Sequence, residues 1–369
     1  MSACMNVRGK LTTICFVIVF LRCQYASGLA AHPSRGSAGE ETWQSNNQRS
    51  RHRLSPSQSR IQHRESRGDG PISLHAFNRI LIWAWVGVFH QGKELERVLS
   101  TEYRVTLLCF SNLPDPVWED AMNSLYIIMP GFSAGVAPPN YILYQTEQWG
   151  HHSLNPYSAT WANQRGNSTR QITLDAFQEA LEVWDYSSHH LSLFAASPEF
   201  RSRPIRFRHV PFAWFPVSPP VEEKSKDIEV LHYGYMSDRR KSILEELEAK
   251  GLNVHIAGYS TWGPALSMLL RRAKIVINLH HNDAKILEMC RIMESLSYGA
   301  LVISEPGAEE ALQAQWTNNL IFAEGVDDLK KVIALYVQNE TARVEQQTVG
   351  WEFAKSHYAL EPFIQDHLL

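Results

Sequence analysis

Cysteine is scarce: five in 369 residues, with no Cys-x-x-Cys pair. Cys4, Cys15 and Cys23 fall at the N-terminus, and Cys109 and Cys290 stand apart among apolar neighbours. That spacing excludes a disulfide framework and a thiolate zinc site, and leaves two buried free thiols as the expectation. No apolar run reaches about 18 residues, so no clear bilayer-spanning helix is present. Neither Walker A nor GxGxxG occurs, which removes the main support for kinase, NTPase and dinucleotide oxidoreductase chemistry. No Asp-x-Asp pair follows a strand-like run, so no metal-held diphosphate is implied. Net positive charge is confined to the first 70 residues. Residues 1–31 and 32–70 carry +3 each, so a net charge of −3 leaves the remainder at −9. An acidic body is a poor partner for nucleic acid, whose binding rests on Lys and Arg neutralising phosphates. What is abundant is core material, with 44% hydrophobic and 11% aromatic residues, in a length that suits two domains.

Met1–Lys10 is basic, Leu11–Leu21 is uncharged and apolar, and small residues follow at Ala26, Ser27, Gly28, Ala30 and Ala31. Residues 1–31 therefore read as a signal peptide or a short signal anchor, pointing to the secretory route (Golgi lumen or secretion), with plastid delivery and cytoplasm left open. Membrane association is expected only if this leader stays uncleaved. Residues 32–70 are rich in Ser, Arg, Gln and Gly and cannot bury enough apolar surface to offset ordering, so a disordered tether is expected. Arg67-Gly68-Asp69 within it reads as a chance match to an adhesion signal.

From residue 71 the chain alternates between strand-like and helical patterns. Ile80–Phe89 reads as a buried strand ended by His90-Gln91-Gly92, followed by a helix over Lys93–Leu99 and a strand over Tyr103–Phe110. A helix opens at Asp115-Pro116. Ser124–Met129 and Tyr141–Tyr144 read as strands, Thr173–Val183 as helix, and Leu191–Ala195 and Ile205–Pro211 as strands. The Pro-rich, charged segment 216–226 is the expected hinge. Beyond it come a strand at Ile228–Tyr233 and a helix capped by Ser237 and closed at Gly251. A strand at Asn253–Ala257, a helix at Pro264–Arg272 and a strand at Lys274–Leu279 follow. The next helix, Ala284–Tyr298, closes at Gly299, and a strand follows at Ala300–Ser304. Asn319–Phe322 (strand), Val326–Gln338 (helix) and a helical tail over Thr341–Leu369 complete the pattern. The expected layout is α/β: two doubly wound parallel sheets over 71–215 and 227–345, facing a central cleft, with a helical tail over 346–369.

Open α/β sheets bind ligands beyond the C-terminal ends of their strands. After Ile228–Tyr233 stands Gly234, followed by a helix start with Arg239, Arg240 and Lys241. A strand-end glycine, free backbone N–H groups and nearby basic groups suit a diphosphate, and equally a solvated helix start. After Lys274–Leu279 stand His280 and His281, suited to hydrogen-bonding a sugar or phosphate, or to a surface loop. On the next helix Glu288, Arg291 and Glu294 recur at threes, so that a carboxylate there can accept from both ribose hydroxyls and Arg291 can face a diphosphate. The alternative is a surface ion-pair ladder.

The block Glu288-x2-Arg291-x2-Glu294 leads into Gly299-Ala300-Leu301-Val302-Ile303-Ser304-Glu305. Together with His232-Tyr233-Gly234 and the strand Ile275–His280, it resembles the donor-binding half of GT-B-fold glycosyltransferases. The similarity is to the CgeB-like spore-maturation group, near glycosyltransferase family 4 and group 1. It implies a nucleotide-sugar donor bound as substrate by the second half, no resident cofactor or metal, and a glycan, protein or small-molecule acceptor held by the first. In the wider family the position of Glu294 holds the donor ribose. An acid eight residues earlier contacts the sugar; Ile286 stands there, with Glu288 offset by two. Gly234 with Arg239 or Lys241 is then expected at the diphosphate, and His280 with Glu288 at the sugar. In the first half, Tyr144-Gln145-x-Glu147-Gln148 and Val183–Ser187 carry the resemblance. Glu147, His151, His152 and Asp185 are the candidates to take the acceptor proton. Glycosyl transfer is thus the leading expectation. A nucleotide-sugar epimerase, a non-catalytic sugar-nucleotide binder of the same ancestry and an adhesion or scaffold protein are the alternatives.

Overall fold

Arg79–Trp85 forms β1 because its five central residues, Ile80–Ala84, are apolar and buried on both faces of a parallel sheet. The computed structural model describes residues 72–110, 118, 120–129, 137–146, 176–201, 205–217, 226–258, 261–281 and 285–368. Residues from Ile72 onward form one compact unit. The expected leader, tether, Asp115-Pro116 helix and most of the hinge lie outside the described residues.

The first half contains β1, α1 (Phe89–Leu99), β2 (Val105–Phe110), β3 (Ser124–Met129), β4 (Tyr141–Gln145) and β5 (Glu182–Asp185), then α2 (Ser188–Ala196), α3 (Pro198–Arg201) and β6 (Phe207–His209). Its six strands run in the order β2-β1-β3-β4-β5-β6, with every pairing parallel. Three expectations are corrected. The first strand stops at Trp85, not Phe89, and a helix begins at Phe89, so His90, Gln91 and Gly92 are helical. The Trp85 ring covers Gly87, where a Cβ would lie 2.0 Å from it, and the chain turns there. Leu191–Ala195 is helix rather than strand, because Ser187 accepts a hydrogen bond from the backbone N–H of His190 and caps α2. Leu181–Val183 does not continue a helix. Val183 and Trp184 pair in register with Leu143 and Tyr144, where burial between strands outweighs helical spacing.

The second half contains β7 (Ile228–His232), α4 (Asp238–Ala249), β8 (Val254–Ile256), α5 (Pro264–Arg272), β9 (Ala273–Asn278), α6 (Met289–Ser297), β10 (Leu301–Ser304), α7 (Glu310–Trp316), β11 (Ile321–Phe322) and α8 (Gly325–Gln338). Its parallel strands run β11-β10-β9-β7-β8. The order reverses between β7 and β9, the kind of switch point at which a crevice opens beyond the strand ends. Ser237 caps α4 by accepting from the N–H of Arg240, and Gly251 follows that helix at φ +87°. α6 begins at Met289, five residues later than expected, and Lys285 adopts φ +50° before it.

α9 (Glu340–His357) and α10 (Glu361–Leu368) close the chain as the expected helical tail. They turn back onto the first half. The Trp214 N–H donates to the Tyr358 carbonyl at 2.8 Å, Trp351 meets Trp214 edge-on at 5.4 Å, and Arg97 pairs with Glu361. One hydrophobic cluster accordingly runs through both halves, from Ile82, Leu95, Tyr144 and Trp184 to Met289, Ile292, Leu296 and Trp316. Cys109 and Cys290 are in no disulfide, as expected, but are only half-buried.

Candidate functional site

The loops that leave β7, β9 and β10 are tied together by ion pairs. Arg239 donates to Glu305 at 2.5 and 2.8 Å and to the His280 carbonyl at 3.1 Å. Arg240 donates to the carbonyls of Leu279 (3.0 Å) and Tyr235 (2.5 Å) and pairs with Glu288. Arg291 donates to the Tyr233 carbonyl at 3.1 Å and to Asn278 Oδ1 at 2.6 Å, and pairs with the other oxygen of Glu288. Glu288 also accepts from the N–H of His281 at 2.9 Å. These bonds explain the late start of α6: the carboxylate is drawn toward α4, and Glu288 ends as the residue before the helix rather than on it.

Two arginines and one carboxylate lie almost wholly buried here. Burial alone would push the Glu288 carboxyl up, but Arg291 and Arg240 outweigh it and hold it down at about 2. Burial is also the largest influence on Arg240, lowering it to about 10 against the pull of Glu288. Removing one partner from such a buried set costs about 3–5 kcal/mol, because the remaining charges lose their compensation. Arg291 Nη2 is different: among the described residues it has no hydrogen-bond acceptor. It lies against Gly234, whose backbone sits at φ +109°, and a Cβ on that glycine would meet it at 2.6 Å.

On the next turn of α6, Glu294 faces the first half. Its Oε1 lies 2.8 Å from His90 Nδ1, and its Oε2 accepts from the Tyr233 hydroxyl at 3.0 Å. His90 Nε2 lies 2.9 Å from Ser267 Oγ and 3.1 Å from the Tyr298 hydroxyl. Burial first, and then Glu294, pushes the Tyr233 hydroxyl well above its usual range, so it remains a donor. A second cross-link joins the halves where Ser187 Oγ donates to Glu309 Oε1 at 2.6 Å. Trp85 and Trp262 meet at 5.2 Å beside these contacts.

The expected site residues divide. Gly234, Arg291 and Glu294 come together at the β7/β9 switch point. Arg239 and Glu288 are there too, but committed to carboxylate–guanidinium pairs, so neither is a free contact for phosphate or sugar. His280 is fully buried, and its two ring nitrogens face the carbonyls of Ile286 (3.1 Å) and Pro306 (2.9 Å), so it ties loops together. Lys241 points away into solvent, 3.7 Å from Glu245, because it lies one residue round α4 from the buried Arg240. Asp185 is fully buried at the end of β5, accepting from the N–H of Ser187 and lying 2.9 Å from His190 Nδ1. Burial raises its carboxyl; both contacts are made by Oδ1, and Oδ2 has no hydrogen-bond partner among the described residues. Glu147, His151 and His152 lie outside the described residues. His90, Tyr233, Ser267 and Tyr298 were not foreseen. The signal for His90 was its place directly after a strand at the switch point of the first sheet, hidden by the apolar run before it.

A cavity of about 270 Å3 opens beyond the ends of β10 and β11, lined by Arg239, Lys285, Glu305 and Glu324 among others.

Residues 239–366 match a family model described as glycosyl transferase-like. The uncharacterized protein L140 of Acanthamoeba polyphaga mimivirus is 31% identical over 103 residues, which is 28% of this chain and 33% of that protein. The matched part thus spans about a third of that relative. Among solved structures, WaaG, a glycosyltransferase involved in lipopolysaccharide biosynthesis, aligns with a TM-score of 0.49 at 11% identity, covering 78% of this chain and 98% of WaaG. Sucrose-phosphate synthase from Thermosynechococcus elongatus aligns with a TM-score of 0.46 at 12% identity, covering 78% of this chain and 97% of that one. Residues 239–366, which bear the buried arginine cluster and Glu294, carry the sequence signature of the glycosyl transferase-like family.

Proposed function

We propose that the protein transfers a sugar from a nucleotide-sugar donor to an acceptor, with the donor bound by the second half. One observation carries this proposal. Gly234 closely approaches Arg291 Nη2, which has no acceptor among the described residues, and Arg291 and the Glu294 carboxylate both lie on α6, inside the segment 239–366 that matches the transferase-like family. A diphosphate suits the glycine loop and the guanidinium, since charge-assisted donors at a strand end favour an anion. A ribose suits Glu294. A carboxylate has about four acceptor positions; among the described residues His90 and Tyr233 take one each, so two remain for hydroxyls. The acceptor is a glycan, protein or small molecule held by the first half, and the donor is a substrate rather than a resident cofactor.

The test is calorimetric titration of the full chain with UDP-, GDP- and ADP-sugars, followed by Glu294→Gln, which keeps the side-chain volume. At least one donor is expected to bind. Loss of charged hydrogen bonds worth about 1.5–3 kcal/mol should weaken it tenfold to a hundredfold in the variant. Failure of every donor to bind, or equal affinity in the variant, refutes the assignment.

Binding without turnover is the alternative, and two observations favour it. Ile286 is buried where the wider family has a sugar-contacting acid, and Glu288 is consumed by Arg240 and Arg291. Release of free nucleotide on incubation with donor and candidate acceptors separates the two.

A further inference from the structure

We propose that His90, supplied by the first half, is the positioning residue that sets Glu294 for the donor ribose, so that the site is complete only when the two halves are closed on each other. The proposal rests on the nucleotide-sugar assignment above and adds to it a residue from the other sheet.

The geometry leaves His90 little freedom. It is the second residue of α1, directly beyond β1, and is only 6% exposed. Its ring lies parallel to Phe215 (5.0 Å between centroids, 1° between planes) and edge-on to Tyr298 (5.5 Å) and Phe89 (5.4 Å). Stacking on one side and edges on two others fix the ring plane. With the proton on Nδ1, the ring donates to Glu294 Oε1 and Nε2 accepts from the Tyr298 hydroxyl. Ser267 Oγ donates to the Gly263 carbonyl at 3.0 Å, which anchors that wall to the loop before α5.

Glu294 is therefore gripped from both sides, by Tyr233 of its own half and by His90 of the other. Without His90, the carboxylate would turn about its terminal bond and present its lone pairs elsewhere. Tyr233 alone leaves that torsion undetermined. A diol such as the 2′- and 3′-hydroxyls of ribose needs both remaining acceptor positions in one plane, whereas a single hydroxyl does not. The residue consequently governs discrimination between ribose and 2′-deoxyribose rather than the grip on the diphosphate, which belongs to Gly234 and Arg291.

The experiment compares UDP, GDP and ADP with their 2′-deoxy counterparts, and with inorganic pyrophosphate, by titration of the full chain and three variants. His90→Asn places an N–H donor near the position of Nδ1. His90→Gln places one near Nε2. His90→Phe keeps the ring and its stacking without a donor. Wild type and H90N are expected to prefer the ribonucleotide by about tenfold, and H90Q and H90F to lose that preference, with pyrophosphate affinity unchanged throughout. Preserved preference in H90Q or H90F, or an H90N variant as impaired as H90F, overturns the proposal. Parallel loss of pyrophosphate binding in all three variants also overturns it, since that marks a residue that only holds the halves together. If wild type binds none of the nucleotides, the donor assignment itself fails and this proposal with it, an outcome distinct from the others.

Discussion

His232 shows how a single buried side chain can set the acid limit of the whole protein. It lies on β7 with Nδ1 3.4 Å from the Ile277 carbonyl, and Nε2 has no partner among the described residues. Burial foremost, then the nearby Arg291 and Arg240, hold its imidazole down from 6.5 to about 3. The unfolded chain takes up a proton as pH falls through 6.5, while the folded chain stays neutral there until about 3. Stability from this residue is thus fully present above 6.5 and is lost on acidification, by up to ~1.4 kcal/mol per pH unit. His232→Gln removes the titration, and its melting temperature should fall less steeply than wild type between about pH 6.5 and 4. Parallel slopes would show that other groups dominate. None of this was visible in the sequence, where His232 counted only as part of the strand-to-glycine motif His232-Tyr233-Gly234. Its behaviour depends on two arginines from α4 and α6 that only the fold brings near.

At the scale of elements, the loop after β7 is the sharpest case. Gly234 combines φ +109° with a guanidinium nitrogen where a Cβ would be, so Gly234→Ala meets both backbone strain of about 1–3 kcal/mol and displacement of Arg291. Pyrophosphate affinity should drop by about tenfold in this variant with the second sheet intact by circular dichroism. Unchanged affinity would mean that Arg291 Nη2 is not at the ligand. This loop was legible because a glycine after an apolar β run and before a Ser-capped helix has a local cause. Helices were legible where caps were local, as at Ser237, Pro264 and Gly299. They were misjudged where the start was set from a distance. α6 begins late because Glu288 is held by Arg240, 48 positions back in the chain. α1 begins early because the apolar run continues past Trp85 into a helix that packs back on β1 and β2, and an apolar run does not disclose which element it serves. The same limit hid His90, whose partner Glu294 lies 204 positions away.

At the scale of the molecule, one hydrophobic cluster is shared by the two halves, beside clusters that belong to each alone. Met289, Ile292, Met293, Leu296 and Trp316 share a cluster with Leu74, Ile82, Leu95 and Trp184. A fragment of residues 226–369 should therefore melt broadly, at a lower temperature than the full chain, and bind a hydrophobic dye. A transition as sharp and as high as that of the full chain would show that the second half is self-sufficient. The placing of the last two helices bears on biosynthesis. Tyr358, Trp351 and Glu361 grip Trp214 and Arg97 of the first half from beyond the whole second half, so the earlier-made half waits on the ribosome for this clasp until residue 361 has been added. A stop just before Trp351 would thus leave the first half without its clasp as surely as one far upstream, and until that point the half-built nascent chain would present its unclasped apolar side to chaperones.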